Sequence, residues 1–283
     1  MNCLRGLPTC SLAALLIIIF GCTKSYTDTG QIITDDTKLI LSGSSTIGPL
    51  ASEIGKRYEK LNPGVRVDVQ TGGSSRGITE ATTGLADIGM SSRSLKESEE
   101  AGRIAWPIAM DGVCFIVHAS NPIGELTKSQ LASILRGDVK NWKELGGADK
   151  EIVFINRAAG RSELELVSRF FGVDASEMNA DLIVGENQHG IKSVANEANA
   201  ISYMSVGASE EAIRIQTPIR MLPLGGIEAS SESVESAAFP LSRPLILVTS
   251  DHPNEAVKRF IRYAQSSNVA DLVRKLSYVP ISN

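Results

Sequence analysis

Residues 65–93 read "VRVDVQTGGSSRGITEATTGLADIGMSSR". "VRVDVQ" alternates apolar and polar residues, the period of a half-buried strand. Gly72 and Gly73 permit a turn. "SSRGITEATTG" reads as a helix opened by serines, and "ADIGMSS" as a strand running into a loop. A strand, a glycine-serine turn, a helix and a second strand make the repeating unit of an α/β sheet, with binding loops at the strand ends. Ser74 and Ser75 fall at the helix start. There the first N–H groups lack intrahelical partners and the helix dipole leaves partial positive charge. The stretch therefore reads as an anion cradle, with Arg76 expected on the surface and Asp87 structural.

The same alternation continues on both sides. Upstream, "KLILSG" is a short apolar strand, and "STIGPLASEIGKRYEKLNP" sets Leu50, Ile54, Tyr58 and Leu61 at helical spacing. Ser44, Ser45 and Thr46 are its candidate N-caps. Downstream, "DGVCFIVHAS" is a strand, closing a βαβαβ pattern. A second block follows. "TKSQLASILRGD" is a helix, "EIVFINRAAG" a strand ending in arginine and glycine, and "RSELELVSRFFG" a helix carrying Arg161 and Ser162 in its first turn. "IKSVANEANAISYMSVG" gives a helix and a strand, "SRPLILVTS" another strand, and "NEAVKRFIRYAQSSNVADLVRKL" the closing helices. No repeat or long linker interrupts residues 38–283. Two lobes without a flexible joint suggest that the chain crosses between them, near 118–122 and 240–244. The expected division is 38–118 with 241–283 for the first lobe and 119–240 for the second.

The bulk numbers narrow the function. The 283 residues, 42% hydrophobic, suffice for one large or two medium domains. A net charge of −4 and the lack of a basic stripe with interleaved aromatics argue against nucleic acid. Residues 1–21 carry one arginine and an apolar run from Leu12 to Phe20, the length of a signal-peptide core rather than of a membrane span. The run ends in "IFGC", which resembles a lipobox, so Cys22 is the expected lipid attachment site and 22–37 a tether. Of the four cysteines only Cys114 then remains in the fold, as a buried thiol. The expected location is extracytoplasmic, at a membrane.

Three loops share one design: strand, small hydroxyl or glycine residues, helix. They are Ser44-Ser45-Thr46, Ser74-Ser75-Arg76-Gly77 and Gly160-Arg161-Ser162. Arg93 and Arg157 stand at strand ends. Each loop alone is explained by helix capping; together they point to a shared tetrahedral oxyanion. Catalysis is not indicated. His118, His189 and His252 have no metal or triad spacing, and no nucleophile–base motif occurs. A binding protein is expected, with no enzyme activity, metal or cofactor.

These segments are similar to the PstS-like family, the phosphate-binding lipoproteins of phosphate ABC transporters. The resemblance runs from about Lys38 to the C-terminus. It is carried by "LSGSSTIGPL", "TGGSSRGITEATTGLADIGMSSR", "DGVCFIVHASNP", "LTKSQLASILRGDVKNWKELGG", "NRAAGRSELE", "ANAISYMSVG", "PLSRPLILVTS" and "LSYVPIS". It implies a type II periplasmic-binding-protein fold, two α/β lobes closing over one ligand. It also implies capture of inorganic phosphate and delivery to an ABC permease, by a monomer. By position it implies ligand contacts from Thr46 with Ile47 beside it, from Ser74 with Ser75 and Gly77, from Ser91, Ser92 and Arg93, from Arg157, and from Gly160, Arg161 and Ser162. Another oxyanion such as sulfate or molybdate, or a sensory or adhesion role on the same fold, stands as the alternative.

Two departures bear on the ligand. The family form "R-x-x-G-S-G-T" is here "RAAGRSE", residues 157–163. Arg161 can replace a lost hydroxyl donor. Glu163 either points into the cleft and disfavours a dianion or faces outward as a first-turn acid, and the outward orientation is the expected one. Many relatives also carry an acid where this chain has Ser92. Asp111 is the nearest substitute as acceptor for a phosphate proton; its other reading is an ion pair with Arg93 or Arg157.

Overall fold

The structure, a computed structural model, describes residues 37–281. Cys22, the apolar run before it and the tether lie outside the described residues, apart from Thr37. The first part of the chain forms β1 (Thr37–Gly43), α1 (Gly48–Leu61), β2 (Val65–Thr71), α2 (Ser74–Thr83), β3 (Ile88–Ser91) and the short α3 (Glu97–Glu100). The long β4 (Arg103–His118) leads into α4 (Lys128–Arg136), β5 (Val153–Arg157), α5 (Ser162–Phe171), β6 (Leu182–Val184), α6 (Asn187–Asn196), β7 (Ala200–Ser205), α7 (Val206–Arg214), β8 (Ile219–Met221) and α8 (Ser231–Glu235). β9 (Ser242–Ser250), α9 (Glu255–Ala264), α10 (Ala270–Lys275) and β10 (Val279–Pro280) complete it.

The strands run in the order β2-β1-β3-β9-β4-β7-β5-β6, with β8 and β10 also pairing β4. Pairs β1–β2, β1–β3, β5–β6 and β5–β7 are parallel, as helical crossovers demand. β9 is antiparallel to both β3 and β4. β4 serves both halves of this sheet. Residues 103–112 pair with β9, and residues 113–117 pair with β7. The strand begins well before the "DGVCFIVHAS" segment expected from sequence. Pro107 concealed that start, because proline cannot donate to a ladder; a register shift between Pro107 and Ala109 accommodates it.

Two apolar cores flank this division. One gathers Leu39, Leu41, Leu50, Ile54, Ile88, Leu245, Leu247 and Phe260. The other gathers Val113, Phe115, Leu131, Leu135, Phe154, Val167, Ile201 and Tyr203. α1 shows how sequence makes such a core. Leu50, Ala51, Ile54 and Tyr58 fall on one face at helical spacing and are buried. Its entry is fixed by Ser44, whose hydroxyl accepts from the backbone N–H of Thr46 at 3.2 Å and of Ile47 at 3.4 Å. Cys114 is free and buried, and burial pushes its thiol up to about 12. No helix among the described residues is long and apolar enough to cross a membrane.

Candidate anion-binding site

The three hydroxyl loops converge. α2 packs so closely on β1 that a Cβ on Gly77 would lie 2.4 Å from the Ser42 carbonyl oxygen, which brings the helix start beside the loop after β1. Gly73 has φ 103°, a conformation open to glycine, and a Cβ there would lie 2.8 Å from the Gly160 carbonyl oxygen. The Ser75 N–H donates to that carbonyl at 3.3 Å. The loop before α2 thus touches the loop before α5.

Between these loops runs a buried chain of hydroxyls. The Ser44 hydroxyl donates to Ser92 Oγ at 2.9 Å. The Ser92 N–H donates to Ser74 Oγ at 3.1 Å, and Ser92 Oγ lies 2.6 Å from Ser162 Oγ. Thr46 Oγ1 receives the Asn187 amide at 3.0 Å. Tyr278, from the C-terminal segment, donates its hydroxyl to the Thr46 carbonyl at 2.8 Å.

Charge enters at the centre through Arg157 and Arg243, both buried. Arg157 ends β5 with a side chain that is 0% exposed, and none of its three guanidinium nitrogens has a hydrogen-bond partner among the described residues. Arg243 lies at the start of β9, directly opposite Asp111 on β4. It donates to Asp111 Oδ2 through Nη2 at 2.9 Å and through Nε at 3.2 Å, and to Ser162 Oγ through Nη1 at 3.0 Å. Asp111 Oδ1 in turn accepts from the Ser205 hydroxyl at 3.1 Å and the Gly207 N–H at 3.2 Å. Burial alone would make Arg243 easier to deprotonate; the Glu163 and Asp111 carboxylates outweigh it and hold the guanidinium above its ordinary range.

Glu163 corrects one expectation. It does not face outward: it is 2% exposed and its carboxylate lies inside the site. Oε1 accepts from Thr46 Oγ1 at 2.9 Å and from Arg243 Nη2 at 2.9 Å, and Oε2 stands 3.6 Å from Arg157 Nη2. Burial would raise its pKa, but Arg243 and Arg157 hold the carboxyl far below the usual carboxylate range. The outward reading failed because two cations on other strands, invisible to local sequence, attract the side chain more than solvent does. The ion-pair reading of Asp111 also changes its partner: the pair is with Arg243, not with Arg93 or Arg157.

The site thus brings together Thr46, Ser74, Ser92, Arg157, Ser162 and, through Arg243, Asp111. Ile47 is buried beside them. Arg93, also buried, and Arg161 engage acids instead. Arg93 pairs with Glu99 at 2.7 Å and Glu165 at 3.1 Å; Arg161 pairs with Glu186 at 3.0 Å. Ser75 donates to Glu165 at 3.2 Å, and Ser45 is half-buried on the α6 side. Arg76 pairs with Glu80 one helical turn on, its side chain 49% exposed. Sequence reasoning missed Arg243, Asn187 and Tyr278. The one available signal was Arg243 itself, a charge leading the apolar run "SRPLILVTS", where a buried partner is required.

The described family "PBP superfamily domain" matches residues 30–268. The chain belongs to the PBP superfamily. Within it the chain is PstS-like. It is 28% identical to the phosphate-binding protein PstS of Borreliella burgdorferi, over 94% of this chain and 98% of that protein. It is 24% identical to PstS of Bacillus subtilis, over 87% and 81%. Among solved structures, a Clostridium perfringens substrate-binding protein of phosphate ABC transporter type, with bound phosphate, superposes with a TM-score of 0.81. That protein is 30% identical, with 87% of this chain and all of that chain covered. A Vibrio cholerae ABC-type phosphate transport receptor gives 0.71 at 26% identity, covering 86% of this chain and all of that one. The PstS-like chain has the two-part α/β architecture of a type II binding protein, with the convergent loops between its parts.

Proposed function

We propose that this PstS-like protein captures inorganic phosphate outside the cytoplasm and hands it to an ABC permease, with no bond made or broken. Arg157 carries the reading. A fully buried guanidinium without a hydrogen bond is costly unless a ligand supplies the acceptors. The groups around it are hydroxyls and a helix N-terminus, the donors that a tetrahedral oxyanion requires. Thr46, Ser74, Ser92, Arg157, Gly160, Ser162 and Arg243 are the proposed contacts. Arg93 and Arg161 keep the loops in place through their acid partners. The binding names of the relatives in Borreliella burgdorferi and Bacillus subtilis agree with this ligand class.

Closure follows from the ligand's touching both halves, and the closed form is what a permease reads. The proposed halves are 38–118 with 241–283, and 119–240. Cleavage before Cys22 and lipid attachment there would hold the monomer at the membrane through the 22–37 tether. Calorimetry with phosphate, sulfate and molybdate tests the ligand. Tight phosphate binding with weak or no response to the other two is the expected result. Preference for sulfate or molybdate would replace phosphate, and no heat from any anion would turn the cleft into an interaction surface. Loss of membrane association in Cys22→Ala tests the anchor.

A further inference from the structure

We propose that Glu163 is a tethered occupant of the anion seat: its carboxylate holds the two halves together in the absence of ligand, and an incoming oxyanion has to displace it. The inference rests on the oxyanion reading of the site. It starts from what the carboxylate touches. Thr46 follows β1, Arg157 ends β5, Arg243 opens β9, and Glu163 lies in the first turn of α5. One side chain thus collects a hydroxyl from the first part of the sheet and two guanidinium groups from different strands. Those contacts are the ones an oxyanion ligand would make. A carboxylate and one edge of a phosphate each present two acceptor oxygens that share negative charge, so the two are chemical competitors for the same donors.

The competition is unequal in a useful way. The carboxylate satisfies Thr46 and Arg243 but leaves all three Arg157 nitrogens without a hydrogen bond, the nearest approach being 3.6 Å. In this conformation the two oxygens cannot serve both arginines at hydrogen-bond distance. A tetrahedral oxyanion with four oxygens can. The tether therefore makes the seat occupied but incompletely satisfied, and a ligand gains by completing what Glu163 cannot. The remaining carboxylate also repels full dianions, so the singly charged form of an oxyanion enters more easily.

Two measurements test this. Small-angle scattering in phosphate-free buffer compares wild type with Glu163→Gln, which keeps the shape and removes the charge. Wild type should be compact and unchanged by phosphate; Glu163→Gln should be expanded and should contract when inorganic phosphate is added. Thr46→Val, which deletes the donor and keeps the carboxylate, should also be expanded without phosphate. In calorimetry, Glu163→Gln should bind phosphate about tenfold or more tightly than wild type. If both variants are as compact as wild type without phosphate, the proposal is overturned whatever the affinity. If wild type binds phosphate tightly and Glu163→Gln more weakly, Glu163 is a ligand contact rather than a competitor, and the proposal falls while the phosphate function stands. If neither binds phosphate but both variants expand, the tether stands and the phosphate reading falls.

Discussion

Asp111 and Arg243 face each other across the β4–β9 ladder, and their side chains meet at 2.9 Å with both ends buried. Arg243 reaches from this pair to Ser162 and Glu163, so Asp111 aims the cation that the anion site uses. The pair is the structural support of the site, made of two residues far apart in sequence.

Removing one partner strands a buried charge. Asp111→Ala and Arg243→Met should each cost about 3–5 kcal/mol of stability in urea unfolding. The double variant should cost clearly less than the sum, because neither Asp111 nor Arg243 then leaves the other unpaired. Additive losses would show that the two side chains do not act as a pair.

Arg157 should behave in the opposite manner. Among the described residues its guanidinium has no hydrogen bond to lose, only the 3.6 Å ion pair with Glu163, so Arg157→Gln should lower the melting temperature of the ligand-free protein far less than Asp111→Ala does. Phosphate affinity should fall by about 2–5 kcal/mol, the cost of losing a charge-assisted hydrogen bond in a closed cleft. Unaltered affinity would remove Arg157 from the site.

Gly73→Ala tests the contact between the two loops. An added Cβ would meet the Gly160 carbonyl at 2.8 Å, on a backbone with φ 103°. Strain of about 1–3 kcal/mol in the closed form should appear as weaker phosphate binding by calorimetry. The loops would be shown to stay apart in the bound protein if affinity were retained.

The pH dependence of stability has a defined sign. Glu163 has a depressed folded-state pKa, so its contribution is fully present above the ordinary carboxylate value of roughly 4.3 and declines as pH falls below it. The melting temperature of wild type should exceed that of Glu163→Gln at neutral pH, and the gap should narrow below about pH 4. A gap that stays constant on acidification would mean that Glu163 is not ion-paired.

Cys114 is buried and its thiol is raised to about 12, so almost no thiolate exists at neutral pH. Ellman's reagent at pH 8 should find this thiol silent in native Cys22→Ala protein prepared without residues 1–21, and reactive after denaturation. Rapid native labelling would place it at an accessible surface.

The parts legible in the sequence were local. Strand alternation at 65–70, the face of Leu50, Ile54 and Tyr58, and the serine-led helix at 74 follow from periods within a dozen residues. Ser74, Ser92 and Arg157 could be picked out because a strand end or a helix start declares itself nearby. Arg243 could not, since its role depends on the register that sets it against Asp111. No local feature reveals that Arg93 and Arg161 engage Glu99, Glu165 and Glu186. Glu163 was misplaced for the same reason: the cations that draw it inward sit on β5 and β9.

β9 lies between β3 and β4, although it is made long after both. The core around Val113, Phe154 and Tyr203 comes almost entirely from one contiguous stretch of chain, whereas the core around Leu41 and Ile88 needs Leu245 and Phe260. During folding, the half holding Arg157 and Glu163 can therefore consolidate first. The half holding Thr46 and Ser74 has to wait with an open gap in its sheet. The strand that closes the gap brings Arg243 with it, so a late long-range pairing also delivers the second cation, and slow maturation and late acquisition of ligand affinity should be the same kinetic event.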